Sequence, residues 1–128
     1  MKEKLKILIV EDEALSAILL GRYLKNLGCD GGKPVATGRE AILRAEELGP
    51  DVIFMDIRLA DDIDGIEAAR VILEKRATKI VFMSAYTDTE IYHKAMTLNP
   101  LTYLVKPFEF ETIGELLESV DANQQKNI

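Results

Sequence analysis

The chain has 128 residues, with 16 Lys and Arg against 22 Asp and Glu and a formal net charge of −6. That length suits a single domain, 1–128, with a core of its own, and a pI near 4.8 argues against a protein that grips a nucleic-acid backbone, which needs a basic face. Cys29 is the only cysteine, so neither an intrachain disulfide nor a zinc-ligand spacing is available; with no apolar run of ~18 residues and no cleavage-site pattern at the start, a soluble protein of the reducing cytoplasm with no membrane partner is expected.

Taken in order, Lys6-Ile7-Leu8-Ile9-Val10 is continuous and β-branched, the pattern of a strand buried on both faces, and it ends in Glu11-Asp12-Glu13. From Ala14 the period becomes helical, with Ala17, Leu20, Leu24 and Leu27 on one face and Gly28 as the stop. Between Cys29 and Ala36, Gly31-Gly32 and Pro34 leave only a short strand around Val35, tolerable at a sheet edge. Thr37-Gly38-Arg39-Glu40 fits a capping box for a helix carrying Ala41, Ala45 and Leu48, and Gly49-Pro50 ends it.

Asp51 to Ile57 is the next strand, built on Val52-Ile53-Phe54-Met55 and closing on Asp56. A polar loop, Arg58 to Asp64, leads into a helix opened by Asp64-Gly65-Ile66-Glu67, with Ile66, Ala69 and Leu73 inward. Lys79 to Met83 is a buried strand closing on Ser84. Thr87-Asp88-Thr89-Glu90 caps a helix with Ile91, Ala95 and Leu98 on one stripe, ended by Asn99-Pro100. Thr102 to Val105 is the last strand, stopped by Lys106-Pro107, and Ile113, Leu116, Leu117 and Val120 mark a final amphipathic helix before a polar tail, 121–128; the core is about 5–120.

Strands alternating with helices in this way predict an α/β fold, a doubly wound five-stranded parallel sheet of order 2-1-3-4-5 with helices on both faces. In such a sheet every strand ends on one rim. Glu11 and Asp12, Asp56, Ser84 and Lys106 should therefore converge. Taken singly, each is ordinary: an acid after a strand is often a helix cap, a serine a turn former, a lysine solvated. Together they make a site. Clustered carboxylates repel unless a cation sits among them, and a hard, oxygen-ligated ion such as Mg²⁺ (or Mn²⁺) fits, leaving room for phosphate oxygens that Ser84 and Lys106 would contact.

These residues carry a resemblance. Ile9-Val10-Glu11-Asp12-Glu13, Met55-Asp56-Ile57, Asp64-Gly65, Met83-Ser84-Ala85 and Tyr103-Leu104-Val105-Lys106-Pro107-Phe108 are similar to the motifs of the response-regulator receiver domain of two-component phosphorelays, from Ile7 to about Val120. The resemblance implies the flavodoxin-like fold of the CheY type, with Asp56 as phosphoacceptor. It implies Asp12 and Asp56 as metal ligands, Glu11 mostly through water, and the backbone carbonyl of Arg58 completing the set. Ser84 and Tyr103 would be the switch pair and Lys106 the lysine of the site, with a cis bond to Pro107.

On that footing the chain is not an enzyme in the ordinary sense. It catalyses only its own phosphorylation and dephosphorylation, taking phosphate from a sensor histidine kinase or a phosphotransfer protein and presenting a changed face to a downstream protein of unknown identity. That face would be formed by the fourth helix, fifth strand and fifth helix, through which a homodimer is also conceivable. Arg58 and Tyr86, flanking the mouth of the site, are expected to set the phosphate's lifetime; His93, off the apolar stripe of its helix, is expected to be a solvated surface residue. The chain departs from the family's pattern in having Leu59-Ala60 where a Met-Pro pair is usual, one extra loop residue within Asp61-Asp62-Ile63-Asp64, and Ser84 for the commoner Thr. The loop change predicts looser support for the Arg58 carbonyl. A phosphatase of the haloacid dehalogenase type would need an Asp where Arg58 stands, and a flavin carrier would need a phosphate loop where Glu11-Asp12-Glu13 stands.

Overall fold

The computed structural model describes residues 4–85 and 88–126, without the side chains of 121–126. The elements are β1 (Ile7–Val10), α1 (Ala14–Asn26), α2 (Gly38–Leu48), β2 (Val52–Asp56), α3 (Gly65–Lys75), β3 (Lys79–Ser84), α4 (Thr89–Met96), β4 (Thr102–Val105) and α5 (Phe110–Lys126). All pairings are parallel, in the order β1-β2-β3-β4.

Alternation along the strands divides the core in two. Ile7, Ile9, Val52, Phe54, Val81 and Met83 face Leu20 and Leu24 of α1 and Ile113, Leu117 and Val120 of α5. Leu8, Val10, Ile53, Met55, Ile80 and Phe82 face α2, α3 and α4, which meet them largely through alanines: Ala41, Ala45, Ala68, Ala69 and Ala95. Both faces are covered, which is why the strands read as unbroken apolar runs. The small alanine side chains let three helices lie close to one face.

Four strands form the ladder among the described residues, not the five expected. The edge segment makes only two isolated parallel bridges to the β1 side, Lys6 with Asp30 and Val10 with Val35. Hydrogen bonds anchor each end: Asp30 N–H to Leu5 O and Ile7 N–H to Asp30 O at one, Val35 N–H to Ile9 O and Glu11 N–H to Val35 O at the other. Five steps of chain from Asp30 to Val35 span four steps from Lys6 to Val10, so one residue is surplus. Gly32 takes it up at φ +61°, and Pro34 has no amide to give a ladder. The segment occupies an edge-strand position without a continuous ladder.

Three smaller expectations shift as well. Leu27, placed on the inner face of the first helix, lies beyond its end and is exposed. Ala68 and Ile72 fill the centre of the α3 contact while Ile66 and Leu73 flank it half-buried. The final helix continues to Lys126 through residues read as a polar tail. The cap of α4 is Asp88, which accepts from the amides of Glu90 and Ile91; Thr87, the first residue of the expected cap signature, lies outside the described residues.

Candidate functional site

The alternation that builds the core also aims the site. Asp56 continues the Val52, Phe54 series of β2, and Glu11 and Lys106 continue those of β1 and β4, so three side chains leave the sheet on the α1/α5 side. They meet. Lys106 Nζ lies 2.5 Å from Glu11 Oε1 and 3.0 Å from Asp56 Oδ2, across 95 and 50 residues of chain respectively. Glu11 and Asp56 are buried and Asp12 is exposed beside them. Carboxylate oxygens of Glu11, Asp12 and Asp56 all fall within 4.8 Å of one another.

One ammonium cannot neutralise three carboxylates. Burial raises the Glu11 pKa above 4.5, as does its contact with Asp56; Lys106 and the Glu13 amide oppose this without cancelling it. Burial also works against the Lys106 charge, but its bonds to Glu11 and Asp56 outweigh that and hold its pKa above 10.5. Three hard oxygen donors with residual negative charge match the ligand chemistry of Mg²⁺ or Mn²⁺. The donor set therefore fits the expected ion, with Glu11, Asp12 and Asp56 as the side chains able to hold it.

Two glycines set how closely the surrounding backbone can approach. A Cβ on Gly65 would stand 2.1 Å from the carbonyl oxygen of Asp56 and 2.9 Å from the Ile57 Cα, while the Gly65 amide donates to Ile57 O at 2.7 Å. Only glycine lets α3 begin against the end of β2. Asp64 caps that helix through the Glu67 amide at 2.8 Å. A Cβ on Gly38 would lie 2.6 Å from Ile63 O, so the loop after Asp56 is laid directly on the start of α2.

That loop is tied down rather than loosened. The Arg58 amide donates to Asp56 Oδ1 at 3.3 Å, and Asp61 accepts from the Gly38 and Arg39 amides at 2.9 and 3.1 Å. The two changes from the family's usual pattern, loss of proline and gain of a residue, are offset by this second set of contacts. The sequence marks Asp64 as a helix cap but gives Asp61 and Asp62 no role beyond a polar loop; nothing local ties Asp61 to the start of α2, 22 and 23 residues away.

Ser84 follows the opposite parity, continuing Ile80 and Phe82 toward the α4 side, where Tyr103 packs half-buried against the same cluster. The Tyr103 ring stands edge-on to Tyr92 at 5.2 Å, and its buried hydroxyl has no hydrogen-bond partner among the described residues. Lys106-Pro107 is cis, as expected. The Arg58 side chain and His93 are exposed. Tyr86 lies outside the described residues. A groove of about 460 Å³ opens beside the site between Leu19 of α1 and Lys106, Pro107 and Phe108, and Leu15, Ile18 and Leu19 remain exposed next to it. These leucines and isoleucine sit off the Ala17/Leu20/Leu24 stripe, a surplus of apolar residues visible in the sequence.

A doubly wound α/β domain with an acidic rim closed by one lysine is the class that fold and site define together. The comparisons narrow it: residues 7–118 match the response regulator receiver domain family, and the chain belongs to that family. It is 34% identical over 116 residues to the transcriptional regulatory protein PdtaR of Mycobacterium tuberculosis, covering 91% of this chain and 55% of that protein. The chain thus spans about half the length of that relative. It is 29% identical to the chemotaxis protein CheY of Thermotoga maritima, over 90% of this chain and 96% of that one. Among solved structures, the signal receiver domain of a modulated diguanylate cyclase from Desulfovibrio desulfuricans superposes with a TM-score of 0.88 at 31% identity, covering 98% of this chain and 100% of that one. The receiver domain of sensor histidine kinase PA1611 from Pseudomonas aeruginosa, which has magnesium coordinated in its active-site cleft, gives 0.82 at 28% identity, over 94% and 99%. No helix among the described residues is long and apolar enough to cross a membrane.

Proposed function

We propose that this domain accepts a phosphoryl group on Asp56, from a phosphohistidine on a sensor histidine kinase or phosphotransfer protein, in a reaction dependent on Mg²⁺ or Mn²⁺, and signals the event through a protein-interaction face. The supporting observation is the bridging of Glu11 and Asp56 by Lys106, with Asp12 adjacent. A divalent ion held there would neutralise charge on the phosphoryl oxygens. Asp56 supplies the nucleophile: its oxygen bonds to phosphorus as the P–N bond breaks, and the electron pair left on the imidazole takes up a proton from solvent. Lys106, already 3.0 Å from Asp56, contacts a phosphoryl oxygen and stabilises charge there. Water later cleaves the acyl phosphate, returning the carboxylate and inorganic phosphate, with Arg58 and Tyr86 setting the rate.

Ser84 supplies a hydroxyl to the new phosphoryl oxygens, and Tyr103, on the same side of the sheet, follows it. The Tyr103 hydroxyl is buried without a hydrogen-bond partner among the described residues, which supports a ring poised for a second arrangement. Tyr92 and Met96 of α4 and Val105 of β4 expose apolar surface around it, a face suited to a downstream protein or a second copy. The exposed Leu15, Ile18 and Leu19 beside the groove are where a phosphodonor reaching Asp56 would rest.

The test is incubation with acetyl phosphate and Mg²⁺ followed by intact mass. A single phosphate adduct, absent in EDTA and absent in Asp56→Asn, is expected. An adduct that persists in both conditions defeats the proposal.

A further inference from the structure

We infer that Asp61 is a positioning residue for the metal site: by clamping the loop after Asp56 to the start of α2, it holds the backbone around Arg58 in place. The inference rests on the phosphoacceptor reading above. Both oxygens of Asp61 are used, one on each of the first two amides of α2, while Thr37 Oγ accepts from the third, Glu40, at 3.1 Å. The helix's orphan donors are thus satisfied from two places 23 and 3 residues away. A carboxylate at that end is also favoured by the helix dipole, and the Gly38 amide above all holds the Asp61 carboxyl below its ordinary pKa of 3.8. A partly buried side chain with this pair of bonds is an anchor, unlike exposed Asp62, which faces the equally exposed Arg39 at 3.4 Å.

The anchor sits three residues beyond Arg58. On the other side, the Arg58 amide is held by Asp56 Oδ1, and beyond Asp61 the absence of a Cβ on Gly38 lets Ile63 lie against α2. The span from Arg58 to Asp61 is therefore fixed at both ends. Release of one end frees the backbone carbonyl that the family resemblance assigns to the ion. Supporting groups one step removed from a metal typically contribute about 10-fold or more to its affinity.

The experiment is a calorimetric titration of metal-free protein with Mg²⁺, alongside amide exchange by NMR at Gly38 and Arg39. Wild type and Asp62→Ala should bind alike, which separates the clamp from the loss of one negative charge. Asp61→Ala should bind about 10-fold more weakly, with faster exchange at both amides, and Asp61→Asn, which keeps one acceptor, should fall between. Should Asp61→Ala be unfolded by circular dichroism, Asp61→Asn against wild type decides by the same criterion. Unchanged Mg²⁺ affinity with faster exchange would make the clamp purely structural and overturn the inference; equal losses in Asp61→Ala and Asp62→Ala would do so too. Wild type that binds no Mg²⁺ overturns the phosphoacceptor reading first, and the inference with it.

Discussion

Two irregular stretches border the sheet, and both carry glycine, yet they are packed very differently. Among the described residues, the edge segment from Cys29 to Ala36 is bridged to the β1 side at Asp30 and Val35 without a continuous ladder, and a Cβ on Gly31 would meet nothing within 4 Å. The junction from Asp56 to Gly65 has its backbone in contact with itself: a Cβ on Gly65 would overlap the Asp56 carbonyl. Slack at the edge costs the fold one ladder. Slack at the junction would move Asp56.

Substitution can break this contrast. Gly65→Ala should have the largest effect, destabilising by about 3 kcal/mol in urea unfolding, because the contact at 2.1 Å is with backbone and cannot be relieved by a rotamer. A loss under about 1 kcal/mol would mean that the junction yields as readily as the edge. Lys106→Met comes next. Without its ammonium, Glu11 and Asp56 face each other unpaired, and metal-free protein at pH 7 should lose about 2 kcal/mol, less than for a fully buried pair because Lys106 is partly solvated. The deficit should shrink in acid as Glu11 protonates.

A pH titration sharpens the electrostatic side. Glu11 has a folded pKa above 4.5, so the folded chain binds its proton more tightly than the unfolded chain does. Glu11's own contribution to the stability of the metal-free protein should therefore be fullest below 4.5 and be lost as pH rises through the raised value, where the cost of the buried charge becomes complete. The Lys106 contribution has the opposite form: present below 10.5 and lost as pH climbs through its raised pKa. In EDTA, Glu11→Gln should flatten the acidic limb; an unchanged limb would mean that Glu11 carries no such burden. Gly31→Ala should do least, within about 0.5 kcal/mol of wild type, with Mg²⁺ affinity untouched.

The same contrast separates what could be read in the sequence from what could not. β1 and β2 were legible because burial on both faces forces every position to be apolar, and the break at Glu11 or Asp56 then marks the rim. The shared rim of parallel strand ends brought Glu11, Asp56, Ser84 and Lys106 together; the parity that sends Ser84 to the opposite side from the other three was not read from the sequence. The edge was not legible: Val35 suggested a strand, but the surplus residue between Asp30 and Val35 depends on register against β1, which a local pattern does not carry. Asp61 was missed for a related reason, since its partners lie in α2 and no spacing along the chain connects them. The resting position of Tyr103 likewise depends on Tyr92, a neighbour only in the folded chain.

The most direct measurement is chemical mapping of the phosphorylated residue. Protein treated with acetyl phosphate and Mg²⁺ is reduced with borohydride, which converts an aspartyl phosphate to homoserine, and its peptides are sequenced by mass spectrometry. Conversion at position 56 alone is the predicted result; conversion at Glu11 or Asp12, or at no carboxylate of the rim, would contradict the account.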